Sequence, residues 1–126
     1  MFIPMKTTMK RDTIIMTAQH VAVTGSRVWM RADEIAALFD TTAAAVERTI
    51  RSLWKQGLLN ADEQMRSLPS GGGRTVDVYG MEVILALAFR IDTCHTAVFR
   101  RWAAQKAVAR DIPITFLFAV DSRNVQ

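Results

Sequence analysis

The stretch 31–55 constrains the fold more than any other part of the chain. It carries two apolar stripes at helical spacing with a short polar break between them. Ile35, Ala36 and Phe39 share one face of a first helix, and Val46, Ile50, Leu53 and Trp54 share one face of a second. Asp40-Thr41-Thr42 joins them with residues that cap helices well. The pattern is that of a helix-turn-helix, whose second helix can lie in a DNA major groove. Ala36 falls where the two helices cross, and a larger side chain there would push them apart. Many such turns carry a glycine because one position needs positive φ; here Asp40 is the nearest candidate, and it tolerates that conformation better than most residues. A helical hairpin that only packs against a core would show the same stripes.

The remaining composition bounds the setting. A chain of 126 residues, half of them hydrophobic, suits one compact domain with a real core. The formal net charge of +4 leans towards anionic partners such as nucleic acid. The charge is uneven: across 90–110, Arg90, Arg100, Arg101, Lys106 and Arg110 face only Asp92. The single cysteine, Cys94, excludes an internal disulfide, fits a reducing cytoplasm and reads as an inert, partly buried thiol. The apolar runs 81–89 and 112–120 fall well short of the ~20 residues a membrane span needs. Lys6, Lys10 and Arg11 are followed by no apolar core, so no signal peptide is expected. His20, His95, Cys94 and the scattered carboxylates show neither metal-ligand nor catalytic-triad spacing. An enzyme is not expected, nor a cofactor or a metal.

In chain order, residues 1–12 read as a flexible arm and 13–126 as a single domain. Strand composition recurs at 13–17, 20–24 and 27–30. Asp33 and Glu34 suit the first turn of the first helix, and Gly57 ends the second. Two strands, 64–68 and 74–79, flank Gly71-Gly72-Gly73, which suits a hairpin tip. A hairpin placed directly after a helix-turn-helix (31–56) is a wing, here 64–79. The glycines lack the Lys-Ser or Lys-Thr of a phosphate-binding loop. A nearly all-apolar helix is expected over 81–91, a break with a new cap at Asp92-Thr93, and a last helix over 93–109 with Val98, Phe99, Trp102 and Ala103 facing inward. Both C-terminal helices together span 81–110. Pro113 ends that helix, and the apolar segment 114–120 reads as a docked strand. Trp29, Trp54 and Trp102 read as core anchors.

Several of these pieces together resemble a known family. Val28-Trp29-Met30 leads into Ile35-Ala36-Ala37-Leu38-Phe39, Tyr79 closes the hairpin, Phe89-Arg90-Ile91-Asp92 follows the apolar helix, and Phe99-Arg100-Arg101-Trp102-Ala103 lies beyond it. Order and spacing over roughly 13–108 resemble the RhuM family of bacterial virulence-associated and mobile-element proteins. The Phe-Arg-x-Trp-Ala match is the most specific part. The chain departs from that family's pattern at Phe89 (usually Tyr), at Asp92 and Thr93 (Asn and Ser), and at Arg31 (often a Thr cap). The resemblance implies a DNA-binding or regulatory protein built on a helix-turn-helix.

The sequence therefore predicts an α+β fold: a winged helix-turn-helix with short N-terminal strands, a Gly-rich hairpin and two C-terminal packing helices. The expected partner is double-stranded DNA, bound by a cytoplasmic homodimer that regulates transcription of a virulence or mobile element. Helix 42–55 would be the recognition helix, with Thr42, Ala44, Glu47, Arg48, Arg51 and Lys55 towards the duplex. Thr41 or Thr42 would hold a phosphate at the helix start, and Arg74, at the glycine hairpin, would touch backbone or minor groove. Arg66 falls on the partner strand. Glu47 would accept from a cytosine or pair with Arg51 four residues on. The alternative is a protein-interaction or dimerisation module in which the helix-turn-helix is only scaffold. In that case the 81–91 helix and the 113–120 segment meet a partner, and Arg100, Arg101 and Lys106 meet an acidic protein.

Overall fold

Short local hydrogen bonds organise the N-terminal part. In the computed structural model, which describes residues 11–108, β1 (Ile14–Met16) pairs antiparallel with β2 (Val21–Val23). The chain is already held at Arg11 and Asp12, inside the stretch read as an arm. Arg11 donates to the Trp29 carbonyl at 2.9 Å and pairs with Glu34 at 2.8 Å. The Asp12 carboxylate accepts from the Arg27 amide and the Thr24 hydroxyl. Of the strand expected over 27–30, Val28 makes only an isolated bridge with Asp12, and β3 is Met30–Arg31.

Next, α1 (Ala32–Phe39) and α2 (Ala43–Gln56) follow each other through the expected tight turn. The Glu34 carboxylate reaches back to accept from the Arg31 amide at 2.8 Å, which replaces a Ser or Thr cap. Asp40 closes α1 with φ 57° and ψ 53°, the only non-glycine residue with positive φ among those described. The Ala36 carbonyl accepts from both Asp40 and Thr41 amides, so the turn wraps onto the crossing point of the helices. Ile35, Ala36, Phe39, Val46, Ile50 and Leu53 are buried as the stripes predict. Trp54 is half-buried and packs at the edge of that core.

A one-turn helix, α3 (Ala61–Gln64), occupies the stretch read as a polar loop. It buries no residue, so it leaves no apolar period; the Asn60 side chain caps it by accepting from the Asp62 amide. The hairpin β4 (Met65–Gly71) and β5 (Arg74–Tyr79) follows, and the sheet order is β3-β5-β4. Pro69 is tolerated because β4 is an edge strand. Gly72 and Gly73, at φ 60° and 75°, make the tip, where both central residues need positive φ.

The apolar helix α4 (Met81–Ala88) is the centre of the molecule. Residues 83–88 are all buried, packed by α2, α3 and α5 of the same chain. It ends three residues before the expected Ile91, because Phe89, Arg90 and Ile91 turn their amides onto the Ala86 and Leu87 carbonyls. Thr93 caps α5 (Cys94–Val108): its hydroxyl accepts from the Thr96 amide at 3.1 Å, and Thr96 Oγ1 accepts from the Thr93 amide at 2.8 Å. The buried side of α5 is Thr96, Phe99, Ala103 and Ala107, whereas Val98 and Trp102 are half-buried, a rotation of the expected stripe. The architecture is thus α+β, with five helices and two small antiparallel sheets among the described residues. Among the same residues no helix is long and apolar enough to cross a membrane. The segment 114–120, Arg110 and Pro113 lie outside the described residues.

Candidate functional site

Arginine and lysine side chains divide into two groups by what they touch. Five arginines are engaged with protein groups. Arg11 holds Glu34, and Arg31 grips Asp33 through two bonds of 2.9 and 3.0 Å. Arg90 donates to Gln56 Oε1 at 2.7 Å. Arg66, on β4, lies 4.7 Å from the centroid of the Trp29 ring and donates to the Asp62 and Met65 carbonyls. Arg100 donates to the Ala88 carbonyl at 2.8 Å and to Thr96 Oγ1 at 3.2 Å. It completes the C-terminus of α4 and is not a free basic residue for an acidic partner. Lys106 lies 6.0 Å from the Trp102 ring centroid. Trp29 and Trp102 are thus half-buried rims under cations rather than fully buried anchors.

The other group is exposed. Arg48, Arg51 and Lys55 lie on the outward side of α2, and Arg74 lies beside the hairpin tip. None of them has a salt bridge among the described residues; Arg27 and Arg101, on other faces, also have none. Ala44 and Glu47 are exposed on the same side of α2, so the helix offers one continuous outward strip from Ala44 to Lys55. Glu47 does not pair with Arg51. Thr42 caps α2 by accepting from the Ala45 amide at 3.1 Å, which leaves its own hydroxyl proton to donate. Thr41 is half-buried, its amide bonded to the Ala36 carbonyl.

Beside this strip, and sharing Glu47 with it, the start of α1, α2 and β5 line an open cleft of about 260 Å³. Its walls are Arg31 and Asp33 at the start of α1, Ala43 and Glu47 on α2, and Thr75, Asp77 and Tyr79 on β5. Burial pushes the Tyr79 hydroxyl above its ordinary value, and the Asp77 and Glu47 carboxylates add to that, with Arg51 acting in the opposite sense. Arg31 holds the Asp33 carboxyl below the usual range through their hydrogen bonds. No group of three or more His, Cys, Asp or Glu among the described residues is placed to hold a metal.

Sequence reasoning missed this cleft. The acids sit far apart along the chain, at 33, 47 and 77, and only the packing of α1 against both α2 and β5 brings them to one cleft. Cys94 also differs from expectation: it is exposed, on the first turn of α5.

Comparison of the chain with protein-family models, with curated proteins and with solved structures found no match.

Proposed function

We propose that the chain binds double-stranded DNA as a winged helix-turn-helix, with α2 as its recognition helix and the β4–β5 hairpin as its wing. The observation that carries this reading is the sorting of the cations. Most basic residues elsewhere in the described chain are bound to protein groups, while Arg48, Arg51 and Lys55 stand without an ion pair along one side of α2, with Arg74 at the hairpin. Such cations in a row on a helix that follows a tight turn suit phosphate and guanine-edge contacts. The element order adds support: strand, helix, turn, helix and hairpin, with β3 hydrogen-bonded to β5. The RhuM-like motifs suggest that such a protein regulates transcription of a virulence or mobile element. If two copies occupy two half-sites, they meet away from α4, whose apolar surface is covered within one chain.

The test is fluorescence anisotropy of a mixed-sequence duplex titrated with protein at two salt concentrations. Binding that weakens steeply with salt is expected, because phosphate contacts release counterions. No binding at low salt overturns the reading.

A further inference from the structure

Glu47 is the one acid of α2, and it stands on the exposed side that carries Arg48, Arg51 and Lys55. A carboxylate at that place faces a polyanion when a duplex docks, and the two repel unless a donor meets the carboxylate. The protein supplies no such donor. Glu47 makes neither a hydrogen bond nor an ion pair among the described residues, although Arg51 lies one turn on, at the spacing where such pairs form. Arg31, which shares the cleft with it, is gripped by Asp33 at 2.9 and 3.0 Å and lies 3.7 Å from Glu34.

Position narrows the partner. Glu47 lies in the second turn of α2, in the half of a recognition helix that meets base edges. Ala44, three residues earlier on the same side, carries only a methyl group, so this end of the strip can come close to a groove floor. Base edges differ in what they offer a carboxylate. In the major groove cytosine presents its N4 amino donor alone. Adenine sets its N6 amino group beside the N7 acceptor, which repels a carboxylate, and guanine and thymine present acceptors or a methyl group.

We propose that Glu47 selects a cytosine in the bound duplex by accepting from its N4 amino group. The one carboxylate of the strip thus sets specificity at a base pair, at some loss of general attraction to DNA. The proposal rests on the duplex-binding reading and adds to it which base this residue requires.

The experiment selects duplexes from a pool with a randomised centre, using the whole chain, and then measures anisotropy on the selected duplex and its single-pair variants. The parent is expected to fix a cytosine–guanine pair and to bind duplexes changed at that pair about 5- to 150-fold more weakly. Glu47→Gln keeps the size, loses the charge and can pair with adenine N6 and N7, so it should move that position to adenine. N4-methylcytosine keeps the base pair but loses the outward N4 hydrogen; it should weaken the parent by a similar factor and leave Glu47→Ala unaffected. Selection of no fixed cytosine overturns the proposal while duplex binding stands. So does an unchanged cytosine preference in both variants, including one accompanied by a uniform gain in affinity for every duplex, which makes Glu47 a surface charge only. Failure to bind any duplex of the pool at low salt overturns the duplex-binding reading itself, and this proposal with it.

Discussion

The Thr93 hydroxyl donates to the Phe39 carbonyl at 2.7 Å, tying the cap of α5 to the last turn of α1 across 54 positions of sequence. The same oxygen accepts from the Thr96 amide, so one hydroxyl both starts α5 and fixes where it starts. Phe39 and Phe99 then meet edge to face with ring centroids 5.3 Å apart. Removing the hydroxyl while keeping the shape, as in Thr93→Val, should cost about 1–2 kcal/mol, because the cap disappears and a buried carbonyl is left unmet. Thr93→Ser should retain most of the stability. The urea midpoint of each variant measures this.

Asp40 occupies left-handed backbone, which costs an L-residue about 1–2 kcal/mol. Its side chain is exposed and makes no hydrogen bond among the described residues. Asp40→Gly should therefore raise the melting temperature slightly, since the relief exceeds the roughly 0.4–1 kcal/mol of added freedom in the unfolded chain. Asp40→Val should lower it, because a β-branched residue fits that backbone worst.

Arg100 and Arg101 are neighbours with different fates. Arg100 meets carbonyls at the end of α4, while Arg101 is exposed. Arg100→Met should lower stability by about 1–3 kcal/mol, because the Ala88 carbonyl is deprived of a charged donor. Arg101→Ala should stay within about 0.5 kcal/mol of the parent. Equal effects in chemical denaturation would contradict this difference.

Glu34 gives the fold an acid-sensitive element. Burial alone would raise its pKa, but hydrogen bonds from Arg11 and the Arg31 amide, with their charges, bring it below the ordinary value. A lowered folded-state pKa adds stability above the unfolded-state value and loses it as pH falls through the folded one. Stability should thus decline as pH drops below about 4.3, where an unfolded glutamate takes up its proton. Glu34→Gln should be less stable at neutral pH and converge on the parent in acid. Urea midpoints at pH 7 and pH 3 test the convergence.

Arg48 and Arg51 point outward from α2 and support no part of the core. Replacing both with Ala should leave thermal unfolding unchanged and weaken duplex binding, by about 1–3 kcal/mol for each arginine that reads a base edge. If the two arginines meet phosphates instead, the salt dependence should also flatten, by about one unit of slope per arginine removed. Full affinity in the folded double variant would place the interface off α2.

The features legible in the sequence are local ones. The stripes 35, 36, 39 and 46, 50, 53 face the core as their spacing dictates, because helix period and burial are properties of neighbours in the chain. The left-handed turn at Asp40, the hairpin tip at Gly72 and Gly73, and the cap at Thr93 were legible for the same reason: backbone preference at a position depends on the residue there. The short α3 was not, since it has no apolar period to read. The inward side of α5 was legible in part: Phe99 and Ala103 are buried as expected, whereas Val98 and Trp102 stay half-buried and Thr96 and Ala107 are buried instead, because the packing of α5 against α4 and α1 sets its rotation. Tertiary packing settled the fate of the charges. Arg66 and Arg100 look as free in the sequence as Arg48 and Arg51, yet they meet Trp29 and the end of α4. Likewise Asp33, Glu47, Asp77 and Tyr79 line one cleft only because α1 packs against both α2 and β5. A charge is satisfied by whatever packing brings near it, and those partners come from distant parts of the chain that no local pattern records.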